Sequence, residues 1–240
     1  MPEETEPNYF AHLEELRHRL LISMAVIGVF TVGCFFLSEW LVGIMIAPIQ
    51  NSVRELYFLT PYEAFLTRLK VSVTAGVMLS SPVVFAQLWR FVAPGLYRSE
   101  RRAVFPVVFF SVLLFSLGVL FAYFLVIPFA LRFFLGFETV SLRPLISIGA
   151  YSSFFLAFIL AFGIVFVFPV ILVGCVYFGI LDVRTLCRQR KVVIVLAFIV
   201  SAVLTPTVDV VTQCVMALVL WALFEISLVV GRLIEHKGGA

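Results

Sequence analysis

The residues with chemistry to offer are few, and most of them are acidic. Glu14 and Glu15 sit in HLEELRHRL (12–20), directly before a long apolar run, and Glu100 sits in LYRSERR (96–102), directly before another. Local structure explains each of them: Glu15 can pair with Arg19 and Glu14 with His18 at i,i+4, while Glu100 follows Ser99, a good N-cap, and complements a helix dipole. Asp209 marks a turn between two apolar runs. Gln213 and Glu225 are polar groups near membrane helix ends, where the default role is functional or interhelical. Arg132 and Glu138 face water. Catalytic constellations are missing. The three histidines, His12, His18 and His236, lie in polar end segments, and no H-E-x-x-H, G-x-S-x-G or G-x-x-x-x-G-K-S/T occurs. A zinc protease, a serine hydrolase and a nucleotide-driven motor are thereby disfavoured. Cys34, Cys175, Cys187 and Cys214 form no C-x-x-C pair, so neither a metal site nor a disulfide framework is indicated; no cofactor is expected.

These residues need elements to hold them, and composition says what solvent surrounds those elements. Hydrophobic residues make up 62% of the 240-residue chain against 13% charged, with mean hydropathy +1.13. Soluble domains are nearer half apolar and a quarter charged, so the solvent is lipid. The 27 Phe agree with that. The first residues, MPEETEPNYF, are acidic and lack a basic region or a small-residue cleavage site, so no cleaved secretory signal is expected.

A spanning helix takes about 20 apolar residues. Apolar runs cover 20–38, 64–89, 104–128, 150–178, 192–205 and 210–230, which gives a single all-α transmembrane domain of six helices over residues 1–240. Orientation follows from the cations. With the N-terminus inside, the inner segments hold Arg17, Arg19, Arg90, Arg98, Arg101, Arg102, Arg184, Arg188, Arg190, Lys191, Arg232 and Lys237. The outer segments hold Arg54, Arg68, Lys70, Arg132 and Arg143, so both termini are expected in the cytoplasm. Residues 10–21 place Phe10, Leu13, Leu16 and Leu20 on one face, predicting a short interfacial amphipathic helix (8–19) ahead of the first span. Thr60-Pro61-Tyr62-Glu63 predicts a capping box with Pro at the first helical position. Pro82 and Pro169 lie inside spans and predict kinks. Val192–Leu204 is short, roughly 20 Å of helix, and should thin the bilayer or need a partner helix.

The motifs HLEELRHRLL, Ala47-Pro48, TPYEAF (60–65), SSPVVFAQLWRFVAPGLYRSERR (80–102), FAYF (121–124), AFGIVFVFP (161–169) and LTPTVDVVTQ (204–213) run nearly the whole length of the chain. In that order they resemble TatC, the polytopic receptor subunit of the twin-arginine protein translocase of the bacterial cytoplasmic (inner) membrane. The resemblance implies a concave, glove-like bundle of six helices. It also implies binding of twin-arginine signal peptides of folded precursors at the cytoplasmic face, and export with the single-span proteins TatA and TatB. Transport would be driven by the protonmotive force, with self-association in the receptor complex and no enzymatic activity or nucleic acid. Carried over by position, the signal-peptide site comprises Glu15 and Glu100, with Leu16, Arg17, Phe91, Pro94, Tyr97 and Arg102 around them. Two carboxylates would meet two guanidinium groups, and Arg offers a planar fork that Lys lacks. Pro48 would lie in a periplasmic cap, and Asp209 and Gln213 at the periplasmic end of the last spans, where the short helices resemble the docking edge for a partner helix. Val167 departs from the family pattern: many members carry a glutamate there, facing the concavity and meeting a partner.

Two other classes fit less well. A secondary transporter is expected to show internal repeats and ionisable residues deep in the membrane, and this chain has neither. An intramembrane enzyme lacks its catalytic groups.

Overall fold

The computed structural model describes residues 9–50, 56–92, 104–139, 144–177, 179, 181–207 and 209–238. Helices fill nearly all of it: α1 (Tyr9–Phe36), α2 (Ser38–Gln50), α3 (Glu63–Val92), α4 (Val104–Phe121), a π-helical segment (Ala122–Val126), α5 (Ile127–Leu135), α6 (Ile148–Tyr177), α7 (Val183–Arg188), α8 (Arg190–Leu204) and α9 (Val210–Gly238). Among the described residues five stretches are long and apolar enough to cross a membrane: Leu13–Phe36, Glu63–Phe91, Phe105–Leu135, Ile148–Tyr177 and Val210–Leu233. The sixth apolar helix, α8, has 15 residues. At 1.5 Å per residue that is about 22 Å, short of a hydrocarbon core of about 30 Å.

Local sequence explains most boundaries. Residues 10–21 do not make a helix of their own but form the first turns of α1, because no glycine or proline interrupts the chain between Tyr9 and Gly28. The chain turns at Leu37, whose N–H donates to the Cys34 carbonyl at 3.0 Å, and Ser38 opens α2. That helix was not expected from the apolar pattern. The α3 helix starts at Glu63, two residues after Pro61. The carboxylate half of the expected box is formed, with the Thr60 N–H donating to Glu63 Oε2 at 3.3 Å. Pro82 and Pro169 lie within continuous helices. Pro128 has no N–H for the Phe124 carbonyl and its ring crowds that oxygen. The turn ahead of it widens into the π segment Ala122–Val126.

The bundle is organised around α6, which touches α3, α4 and α9 and buries Phe158 and Phe162 completely. Lipid tails are as apolar as the helices, so close packing has to hold them together. Glycines permit it. A Cβ on Gly163 would lie 2.7 Å from Phe115 Cε2, one on Gly118 would meet the Phe162 carbonyl, and one on Gly76 would lie 2.8 Å from the Thr31 backbone nitrogen.

Side-chain pairs fix the helix directions. Arg19 reaches Gln87 at 3.3 Å and Thr31 lies against Gly76, so α1 and α3 are antiparallel. Trp89 Nε1 donates to Ser111 Oγ at 3.0 Å, and the Phe85 and Phe115 rings meet with centroids 5.7 Å apart, so α3 and α4 are antiparallel too. Phe121 meets Phe162 and Tyr123 meets Phe155, reversing direction again into α6. Arg190 pairs with Glu225 and Gln213 with the Phe198 carbonyl, making α8 and α9 antiparallel, while Gly231 lies near Val176. The starts of α1, α4 and α8 and the ends of α3, α6 and α9 therefore share one end of the bundle, here the proximal end. The starts of α3 and α6, with α2, share the distal end.

Candidate functional site

Glu15 sits in the second turn of α1 at the proximal end, half-buried. Its Oε1 accepts from Arg19 Nε at 3.0 Å and Nη2 at 2.5 Å, the i,i+4 pair that the spacing offered. Arg19 also donates through Nη1 to Gln87 Oε1 at 3.3 Å, which ties the pair to α3. Gln87 was not singled out in the sequence; nothing short of the α1–α3 register could have found it. In that antiparallel register Phe91 comes level with Glu15. Leu16 and Arg17 are exposed. Pro94, Tyr97, Glu100 and Arg102 lie outside the described residues, in the segment 93–103 that joins the end of α3 to the start of α4. The end of α3 and the start of α4, which flank it, are both proximal, as Glu15 is.

At the distal end α2 lies across the bundle and buries Met45 and Ile49. Pro48, in its last turn, has no N–H for the Ile44 carbonyl four residues earlier. Tyr123 supplies the missing donor, its hydroxyl bonding Ile44 O at 3.1 Å. Tyr151 donates likewise to Met45 O at 2.7 Å. Glu63 staples the segment before α3 to the start of α6. Its carboxylate accepts from Leu59 N at 2.6 Å, from Thr60 N at 3.3 Å and from Gly149 N at 2.7 Å. Beside it, Tyr57 and Ser147 form a parallel bridge.

Asp209 is the N-cap of α9: its Oδ1 accepts from Thr212 N at 2.7 Å and its Oδ2 from Thr212 Oγ1, with Thr207 Oγ1 2.9 Å from the same hydroxyl. Burial raises the carboxyl, but the hydrogen bonds from Thr207 and Thr212 outweigh it and hold it below the usual range. Gln213 Nε2 donates to the Phe198 carbonyl at 3.2 Å, so this amide joins α9 to α8. Val167 is only 6% exposed within the bundle.

Among the described residues no group of three or more His, Cys, Asp or Glu could hold a metal. A family model described as Sec-independent protein translocase protein (TatC) matches residues 11–218. The chain belongs to the TatC family. A TatC from Magnetococcus marinus is 41% identical over 229 residues, covering 94% of this chain and 84% of that one. The TatC of Aquifex aeolicus is 40% identical over 230 residues, covering 94% and 95%. A crystal structure described as the twin-arginine translocase receptor TatC superposes with a TM-score of 0.82 at 40% identity, covering 93% of this chain and 99% of that one. As a TatC protein the chain is a multi-pass membrane component of a protein translocase, and not an enzyme.

Proposed function

We propose that this chain is a twin-arginine signal-peptide receptor of the bacterial cytoplasmic membrane, with six spans and both termini inside, working with TatA- and TatB-like single-span partners under the protonmotive force. The observation that carries the reading is the convergence at the proximal end. Glu15, Phe91 and both ends of the segment bearing Glu100 come to one face, which is the end that holds most of the cations. A signal peptide's two guanidinium groups would meet the Glu15 and Glu100 carboxylates, each charge-assisted bond contributing about 1.5–3 kcal/mol, less where water screens the pair. Arg19 is already bound to Glu15, so an incoming arginine has to displace it or share the carboxylate. That competition sharpens selection for a forked, bidentate cation over lysine. Pro48 belongs to the outer cap in this reading, and Asp209 and Gln213 to the outer edge where a partner helix docks and receptor copies associate.

The test is site-specific crosslinking to a twin-arginine precursor, with a twin-lysine precursor as control. Glu15→Ala and Glu100→Ala should each weaken it severalfold while membrane insertion is retained, and their effects should not add. Unchanged crosslinking in both variants would sink the site. For topology, a reporter after His236 should be active only in its cytoplasmic form, and one near Glu138 only in its periplasmic form.

A further inference from the structure

The elbow between α7 and α8 carries four cations in eight residues: Arg184, Arg188, Arg190 and Lys191. They are not equivalent. Arg190 is neutralised by Glu225, Nη2 to Oε2 at 2.8 Å. Nearby on α9, Arg232 spends its guanidinium on the Cys187 sulfur at 3.0 Å. Arg184, Arg188 and Lys191 are exposed and have no ion pair or side-chain hydrogen bond among the described residues. Asp182, the nearest acid in sequence, caps α7 through the Arg184 backbone N–H at 3.2 Å. Arg184 and Arg188 are four apart and share one face of α7. Its other face, through Val183, Leu186 and Cys187, packs against Phe224 and Leu228.

Lys191 begins a second pattern. Helix α8 turns Val193, Ala197 and Ser201 inward. Two residues is about 200° of helix, so Lys191, Val195 and Ile199 lie on the opposite side. Val195 and Ile199 are 59% and 54% exposed, a bare apolar stripe directly below a free ammonium group. Phosphate above and hydrocarbon below is the chemistry of a phospholipid. Because α8 is about 8 Å shorter than an ordinary hydrocarbon core, its cations sit deeper than the usual headgroup plane and must draw a headgroup toward them.

We propose that the α7–α8 elbow is a binding site for one anionic phospholipid. Arg184, Arg188 and Lys191 hold its phosphate, and an acyl chain runs along Val195 and Ile199. The site lies at the end of α8 opposite to the Asp209–Gln213 edge, and it pins the bilayer to the short helix. Membrane attraction to each such cation amounts to a factor of about five, so removing three should weaken retention on the order of a hundredfold.

Native mass spectrometry of the full-length protein tests this, with phosphatidylglycerol, phosphatidylcholine or inorganic phosphate as probe. The parent should retain one phosphatidylglycerol that phosphatidylcholine does not match and that millimolar phosphate does not displace. The triple variant Arg184→Gln/Arg188→Gln/Lys191→Gln should lose it, Arg184→Lys/Arg188→Lys should keep it, and Arg132→Gln, an exposed cation at the distal end, should leave it unchanged. If the triple variant does not fold, Arg188→Gln and Lys191→Gln alone should each weaken retention about fivefold. Equal retention by the triple variant or its folded single substitutes, equal retention of phosphatidylcholine, or displacement by phosphate would overturn the proposal. So would a photo-crosslinker at Val195 that, in native membranes, labels a protein helix in place of an acyl chain.

Discussion

The two ends of the bundle treat their polar groups in opposite ways. At the distal end Glu63 accepts from three backbone N–H groups in two segments, one of them 86 residues away, and two tyrosine hydroxyls close on α2 carbonyls. At the proximal end Glu15 has an arginine one turn along its own helix, and three cations at the α7–α8 elbow have no partner among the described residues. A saturated end is a built cap, since a polar network strengthens a fold when every member is satisfied. An unsaturated end leaves charges that a ligand could meet.

The contrast breaks most severely where the helices holding Glu15 and Phe91 level come closest. Gly76→Val would press a side chain onto the Thr31 backbone, costing about 1–3 kcal/mol or forcing α1 away from α3. Thermal unfolding should fall by several degrees, and precursor crosslinking should fall with it even though no proximal residue has changed. Crosslinking at the parental level would show that the register does not position the site.

Two cap substitutions sharpen the comparison with smaller effects. Tyr123→Phe should cost about 1 kcal/mol by orphaning the Ile44 carbonyl. In a Pro48→Ala background the same change should cost less, because an alanine at that position supplies a helical N–H to the carbonyl; equal losses in both backgrounds would dismiss the pairing. Asp209→Ala should also cost about 1 kcal/mol as a lost N-cap, with a pH signature. A carboxyl held low in the fold stabilises above its unfolded value, about 3.9, and this contribution disappears as pH falls through the lower folded value. Unfolding measured from neutral pH into acid should show that limb in the parent and not in Asp209→Asn.

The smallest effect belongs to Gln213→Leu. Hydrogen bonds between membrane helices average about 0.6 kcal/mol, so the α8–α9 seam should loosen slightly and partner crosslinking weaken modestly. Lengthening α8 by four leucines should weaken crosslinking more, since it removes the mismatch and rotates the face beyond by about 40°. Val167→Glu is now expected to lower stability, because it would bury a carboxylate inside the bundle; stronger partner crosslinking without that loss would show that α6 opens.

Much of this was legible along the chain. The long apolar runs at 64–89 and 150–178 locate α3 and α6, since a helix clad in lipid needs little besides length and hydrophobicity. Glu63 was legible as a local cap because its Thr60 partner is three residues away. Its bond to Gly149 was not, and neither was that of Arg190 to Glu225, because a one-dimensional pattern carries no register between helices. The α2 helix went unread because its 13 residues are too few to span a membrane and lie outside the long apolar runs. The burial of Val167 was not legible either, since a position in a motif does not say which way a helix is turned.

Pro48 and Tyr123 also have a consequence for descent. One lacks a hydrogen that the other provides, across 75 positions of chain. A lineage that loses the proline no longer needs the hydroxyl, and one that loses the hydroxyl first carries a burden that loss of the proline would lift. Across diverging relatives the two positions should therefore change as a pair more often than either drifts alone, leaving in inheritance the trace of a single hydrogen bond.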